Sequence, residues 1–353
     1  GNSVLPAVHT VDLREELKQG NRSIFSRKLK ERMQDRLSRG EQTILFLNRR
    51  GYAGFISCRS CGHVMKCPHC DVSLSEHRNG MLTCHYCGYQ EWKPAKCPSC
   101  GSPYLMGFKA GTEQVEEAIH REFPGARVLR MDADTTRRKD SYERILSAFA
   151  DEEADILVGT QMIVKGHDFP GVTLVGVLAA DLSLNRNDYR AGERTFQLLT
   201  QAAGRAGRRE QPGEVVIQTY QPEHYSVVYA ARQDYRGFYA EEIAYRGLVG
   251  YPPVEHMLAV LIVSRVQEDG EKLGEEMTDL VKREMADVAG LRVIGPAEAA
   301  IGKISDLYRH TFYIRHGVYQ TLVGAKDRLE NFCRERELKG QTVQFDFDPM
   351  NTF

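Results

Sequence analysis

Eight of the nine cysteines fall between Cys58 and Cys100, as four Cys-x-x-Cys pairs: Cys58/Cys61, Cys67/Cys70, Cys84/Cys87 and Cys97/Cys100. Each such turn aims two thiolates at one point, and two turns complete the tetrahedral sulfur shell that Zn²⁺ prefers. With no secretory signal at the start of the chain, a disulfide framework is the weaker reading. Two structural Zn²⁺ ions are therefore expected. Because the segment holds few apolar side chains, the metal must supply much of its folding free energy. Joining Cys67/Cys70 to Cys84/Cys87 spans thirteen residues, a normal hairpin length, and leaves Cys58/Cys61 to meet Cys97/Cys100. This nested arrangement is favoured, with Cys58, Cys61, Cys97 and Cys100 as site 1 and Cys67, Cys70, Cys84 and Cys87 as site 2. Sequential pairing across the five residues between Cys61 and Cys67 stays open as the alternative. His63, His69 and His85 are expected beside the metals rather than on them. Tyr86, Tyr89 and Trp92 either stack on nucleic-acid bases or build a small substitute core.

The chain as a whole reads as soluble and multi-domain. It has 353 residues, 42% of them apolar and 27% charged. Lys and Arg total 47 against 48 Asp and Glu, a net charge of -1 that excludes a uniformly basic nucleic-acid coat but not local basic patches. No run approaches the roughly 20 apolar residues that span a bilayer, so no membrane partner is expected. An opening Gly1 in place of Met suggests a piece of a longer chain.

Ahead of the cysteines, residues 24–37 have the spacing of an amphipathic helix capped by Ser23, followed by a buried strand over 43–48. Beyond them, Thr112 is expected to cap a helix running to about Phe123, which precedes a strand over 128–131. A helix over 141–149 and strands over 155–159 and 173–179 follow, then a helix over about 193–203 and a strand over 214–219. Strands that are apolar throughout and alternate with helices imply a parallel sheet covered on both faces, an α/β lobe. From Tyr251-Pro252-Pro253 the order becomes strand 257–266, helix 270–288, strands 291–294 and 309–315, helix 319–337 and strand 342–347. That βαββαβ order suits an α+β ferredoxin-like domain. The expected organisation is a discontinuous lobe over 1–57 and 104–250, a zinc domain over 58–103 and a third domain over 251–353. Cys333, beside Leu329 and Phe332, reads as a buried free thiol.

Two motifs could touch phosphate. Gln201-Ala-Ala-Gly204-Arg205-Ala-Gly207-Arg208 ends a helix with two guanidinium forks, whose planar donors match phosphate oxygens and never lose their charge. Gly159-Thr160-Gln161-Met162-Ile163-Val164-Lys165-Gly166-His167-Asp168 lies past the carboxyl end of a buried strand, where open α/β sheets place ligands. Arg49 and Arg50 also follow a strand end. Conversely, the phosphate-cradling sequence G-x-x-x-x-G-K-[ST] is not present. Asp151-Glu152-Glu153-Ala154-Asp155 precedes its strand instead of following it and reads as a solvated loop. Asp181 ends an apolar strand with no nucleotide to serve.

Together these motifs resemble motifs V and VI of the second RecA-like lobe of superfamily 2 helicases. With Asn48-Arg49-Arg50-Gly51-Tyr52, the eight-cysteine insertion, Gly111-Thr112-Glu113, Asp132-Ala133-Asp134 and the terminal Asp346-Phe347-Asp348-Pro349, the whole chain resembles the replication-restart primosomal helicases. The resemblance implies the carboxyl-terminal half of an ATP-dependent 3′→5′ DNA helicase whose other lobe supplies the P-loop. ATP and Mg²⁺ would then bind only together with that lobe. Gln201, Arg205 and Arg208 would act on the γ-phosphate, with Gly166 and Asp168 also at the nucleotide. Arg49, Arg50, Thr112, Thr160, Gln161 and Lys165 would face DNA, and Lys303, Arg309 and Arg315 offer further basic contacts. The resemblance also implies nested cysteine pairs, forked DNA, single-stranded-DNA-binding protein and primosome and helicase-loading proteins as partners, and a bacterial cytoplasmic, nucleoid-associated location. The alternative is a non-catalytic zinc-stapled scaffold for DNA or proteins.

Overall fold

Six strands assemble into one parallel sheet, the inner four of them buried toward both faces. A computed structural model describes residues 5–47, 55–69, 73–77, 80–84, 87–107, 111–132, 134–160, 169–184, 189–206 and 212–349. The sheet order is β1(Ala7–Asp12), β11(Glu214–Thr219), β10(Val172–Val177), β2(Gln42–Phe46), β9(Ile156–Gly159) and β8(Val128–Met131), every neighbouring pair parallel. Alternate residues feed two cores, as the period of a strand requires. Ile44, Phe46, Leu157, Val175 and Ile217 face α4(Ser141–Ala150), α6(Ala191–Ala203), α7(Tyr225–Ala231) and α8(Tyr235–Val249). Leu45, Ile156, Val158, Leu174 and Val216 face α2(Arg27–Arg39) and α3(Thr112–Glu122). Short helices α1(Leu13–Lys18) and α5(Asp181–Leu184) occupy strand ends.

Two cap expectations are corrected. Ser26, not Ser23, caps α2: its hydroxyl accepts the Leu29 N–H at 3.2 Å. Ser23 instead donates to Glu122 at 2.8 Å, tying the loop before α2 to the end of α3. Gly111, not Thr112, precedes the first turn of α3, and its N–H is taken by the Gln114 side chain at 2.6 Å.

The cysteine segment leaves the lobe after β2 and returns before α3. Its base is the antiparallel pair β3(Ile56–Cys58) and β7(Leu105–Gly107), and its outer part is the meander β4(Ser75–Glu76), β5(Met81–Thr83) and β6(Gln90–Trp92).

The third unit is an antiparallel sheet in the order β13(Arg292–Ile304), β14(Leu307–His316), β12(His256–Ser264), β15(Gln341–Phe347). Helices α9(Gln267–Glu284) and α10(Tyr319–Arg336) cover one face, where Leu258, Val260, Ile262, Phe312 and Ile314 meet Leu273, Met277, Leu322 and Leu329. This is the split βαβ arrangement expected of the order βαββαβ. Cys333 is half-buried at the edge of this core. The opposite face, through Met257, Ala259 and Tyr313, joins the core of the cysteine segment. Among the described residues no helix is long and apolar enough to cross a membrane.

Candidate functional site

The carboxyl edge of the parallel sheet places Asp132, Thr160 and Asp181 just past the ends of their strands. At the end of β8, Asp132 accepts the Thr112 hydroxyl at 2.6 Å and the Thr135 N–H at 2.9 Å, with the Arg130 guanidinium at 3.0 Å. The segments Gly111-Thr112-Glu113 and Asp132-Ala133-Asp134 are thus two halves of one contact. Burial raises the Asp132 carboxyl, but the Thr112 hydroxyl, the Thr135 N–H and Arg130 outweigh it and hold the group below the ordinary carboxylate range. Thr112, expected to face DNA, thus turns its side chain to the end of β8. Its hydroxyl is committed inward and the residue is buried.

A pH dependence follows from this contact. A depressed native carboxyl contributes stability that is complete above the unfolded value and is lost as pH falls through the native one. Thr112→Val removes the strongest opposing bond, so stability at neutral pH is expected to fall by about 1–3 kcal/mol. The deficit should vanish in acid, where Asp132 is protonated in both proteins. Thermal melts across the acid limb measure this; a deficit independent of pH would contradict it.

Thr160 lies half-buried just past β9, and Asp181 starts α5 past β10. Asp181 is buried and accepts the Tyr220 N–H at 3.0 Å, so it welds the ends of β10 and β11; burial raises its pKa. The solvated-loop reading of the acidic run agrees with the structure: Asp151, Glu152 and Glu153 are exposed, and Asp155 accepts from Arg127 at 2.9 Å. On α6, Gln201 is exposed near the helix end, and Arg205 is half-buried one turn further on, within electrostatic reach of Tyr142 at the start of α4. Arg49, Arg50, Cys70, Gln161, Lys165, Gly166, Asp168 and Arg208 lie outside the described residues.

In the cysteine segment, the sulfurs of Cys58, Cys61, Cys97 and Cys100 lie within 4.8 Å of one another, as do those of Cys67, Cys84 and Cys87. Cys58 to Cys100 is 3.6 Å, Cys61 to Cys97 3.7 Å, and Cys67 to Cys87 3.6 Å. A tetrahedral shell with Zn–S near 2.3 Å separates its sulfurs by about 3.8 Å. The donor set therefore fits Zn²⁺ in size and chemistry, and the Cys-rich region is a zinc-binding fold. Burial opposes ionising Cys58, yet the N–H groups of Cys61 and Ser60 and the Cys100 thiol bring it down to about 7. Burial and the neighbouring sulfurs push Cys61 up to about 12. Four negative sulfurs in one shell thus need a cation.

The turns carry a further signal that the Cys-x-x-Cys spacing alone does not express. Gly62, Gly88 and Gly101 each follow the second cysteine of a pair, with φ of +79°, +78° and +75°. Their N–H groups bond back to the carbonyls of Cys58, Cys84 and Cys97 at 2.9, 3.0 and 2.8 Å. The N–H groups of Ser60, Tyr89 and Ser99 point at the sulfurs of Cys58, Cys87 and Cys97 at 3.3–3.4 Å. In three of the four pairs Cys-x-x-Cys-Gly is thus the fuller signature, since only glycine takes this left-handed turn without strain. Two of these glycines are also docking points. A Cβ on Gly62 would meet Tyr220 of the parallel-sheet lobe at 2.9 Å, and one on Gly88 would meet the Pro296 carbonyl of β13 at 3.0 Å. One metal turn therefore rests on each neighbouring domain.

Of the aromatics, Trp92 is 71% exposed, whereas Tyr89 packs edge-on against His69 at 5.5 Å and donates to Glu91 at 3.0 Å. Tyr86 lies outside the described residues. Arg315 is corrected as a basic surface contact. It is buried, stacked 4.4 Å over Tyr251 and donating to the Val249 carbonyl at 3.0 Å. Arg309 donates to the Ile301 carbonyl and Lys303 pairs with Asp306 at 3.2 Å.

Comparison with known proteins gives three family matches. Residues 105–210 match the helicase conserved C-terminal domain, 67–91 the PriA DNA helicase Cys-rich region domain, and 247–350 the primosomal protein N C-terminal domain. The replication restart protein PriA of Bacillus subtilis is 46% identical over 98% of this chain and 43% of its own length. That of Synechocystis is 43% identical over 98% of this chain and 42% of its own length. The chain thus spans less than half the length of these two relatives. Among solved structures, Saccharomyces cerevisiae Dbp5 bound to RNA and ADP BeF3 aligns at 10% identity over 67% of this chain and 41% of that one, with a TM-score of 0.31.

Proposed function

The chain belongs to the PriA family of replication restart proteins, whose carboxyl-terminal part it matches, and we propose that it is one wall of an ATP-driven 3′→5′ DNA motor acting at replication forks. The observation that supports this most is a pair of thiol clusters on an excursion between the first central strand and the later motifs of a six-stranded parallel lobe. Three domains would divide the work: a RecA-like lobe over 1–57 and 104–250, a two-zinc domain over 58–103, and an α+β domain over 251–353. Cys58, Cys61, Cys97 and Cys100 would hold one Zn²⁺, and Cys67, Cys70, Cys84 and Cys87 the other. Zinc here supplies cross-linking and charge neutralisation, not chemistry on the substrate.

ATP with Mg²⁺ would bind against a partner lobe that brings the phosphate cradle. Arg205, with Arg208, would reach across to the γ-phosphate, where charge grows in the transition state. Gln201 would orient the attacking water, and Gly166 and Asp168 would border the nucleotide. Thr160, Gln161 and Lys165, in the same stretch of sequence, would face DNA phosphates with Arg49 and Arg50, so that one segment registers both ligands. Such backbone contacts weaken steeply with salt. Forked DNA, single-stranded-DNA-binding protein and primosome and helicase-loading proteins would be the partners, in the bacterial cytoplasm at the nucleoid.

The test compares two chains. The full-length protein is expected to unwind forked duplexes with ATP, and the 353-residue chain alone to show no DNA-stimulated hydrolysis. Turnover by this chain, or an inert full-length protein, would remove the motor reading. Metal analysis is expected to return about two zincs per chain.

A further inference from the structure

We propose that Tyr189 and Arg246 are positioning residues that let the carboxyl-terminal domain set the placement of α6, the helix leading to Gln201 and Arg205. The proposal rests on the reading of Arg205 as a nucleotide contact.

Tyr189 stands two residues before α6 and is buried. Its ring stacks on Tyr251 at 5.6 Å, and its hydroxyl donates to the Pro349 carbonyl at 2.9 Å. Tyr251 enters the carboxyl-terminal domain and Pro349 leaves it, so both ends of that domain converge on one side chain. Pro349 is itself held in place: its neighbour Asp348 accepts the Met257 N–H at 2.7 Å and faces His256 Nδ1 at 2.8 Å. The terminal Asp346-Phe347-Asp348-Pro349 segment, which neither the thiol clusters nor the sheet edge uses, thereby acquires a task.

Arg246, on α8, is the second tie. Its guanidinium lies 5.5 Å from the Tyr189 ring centre. It donates to Glu193 in the first turn of α6 at 2.8 Å, to Glu242 at 3.0 Å and to the Pro252 carbonyl at 3.1 Å. Glu242 in turn accepts the Tyr225 hydroxyl and sits against Gly192 of α6, where a Cβ would meet its carboxylate at 2.9 Å. Burying this much charge gains little stability over an apolar contact of equal volume, and fixing one arrangement is the best-attested use of such groups.

From this anchored first turn, α6 runs thirteen residues, about 20 Å, to the turn holding Arg205. Phe196, Leu199, Ala202 and Ala203 pack it into the lobe core. A packed helix held by its first turn shifts as a body, so a displacement of the carboxyl-terminal domain reaches the guanidinium without a flexible relay.

The test uses the full-length helicase. Tyr189→Phe deletes one hydroxyl and keeps the stack; Arg246→Lys keeps the charge and loses the fork. The readout is the ratio of fork-stimulated to DNA-free ATP hydrolysis, which cancels differences in folded fraction, with Arg205→Ala as control. Each of the two variants is expected to lower that ratio about fivefold or more. A wild-type ratio in both, beside an inactive Arg205→Ala, would overturn the link alone. Turnover by Arg205→Ala would overturn the nucleotide reading and the proposal built on it.

Discussion

Arg205→Ala in the full-length protein is expected to lower ATP hydrolysis by about 10³–10⁵-fold while forked-DNA binding survives. The asymmetry follows from what the side chain can do. A guanidinium that meets the γ-phosphate contributes mainly when charge accumulates on the phosphoryl oxygens, so its loss appears in turnover more than in ground-state affinity. DNA binding draws on many backbone contacts, each a small share of the total, and one distant arginine does not carry it. Arg205→Lys is the stricter variant. It retains the charge but not the planar fork, and should recover only a small part of the rate. Single-turnover hydrolysis and a salt-dependent binding titration on the same preparations separate the two effects. Near-normal turnover in Arg205→Ala would place this residue among structural contacts at the helix end, where its half-buried position near Tyr142 already gives it packing.

Much of the fold is legible wherever burial alone decides. Glu214–Thr219, centred on the apolar run Val215-Val216-Ile217, is found as a strand at those bounds. Elements escape a sequence reading where burial and polarity diverge. α8 buries Phe238, Glu242 and Arg246, so its inward face is mostly charged and no apolar stripe announces it. β1 is an edge strand with no fully buried residue, held by its parallel ladder to β11. β13 continues to Ile304 through two register shifts, where apolar spacing marks only its first residues. The helix starts shift from their expected positions because a serine or threonine near a first turn does not reveal which backbone N–H it faces. Ser23 and Thr112 both spend their hydroxyls on acidic groups across the fold. The thiol clusters are legible for the opposite reason. Metal ligation needs thiols at fixed spacing, and neither core packing nor helix capping produces that pattern.

Removing zinc is the second large effect expected. The cysteine segment buries few large apolar side chains, Ile56, Met65, Leu74, Leu82 and Leu105 among them, and its strands are only two or three residues long. Short ladders over so small a core do not hold a segment of this length without help. Structural Zn²⁺ supplies about 10–16 kcal/mol in comparable small sites. A strong chelator should therefore unfold residues 58–103, while the two apolar cores of the parallel sheet, which contain no thiol of either cluster, keep their protection. The third domain should loosen without unfolding. It loses the Gly88 turn against Pro296 and the contact of Met257 and Tyr313 with the cysteine core, but retains its own helix-covered face. Cys58→Ser should reproduce this with one zinc fewer, whereas Cys333→Ser, in a different core, should leave metal content unchanged. Hydrogen exchange with metal quantitation reads all three regions at once. Full protection of residues 58–103 after complete zinc removal would mean that the polypeptide, rather than the metal, holds this segment on its two neighbours.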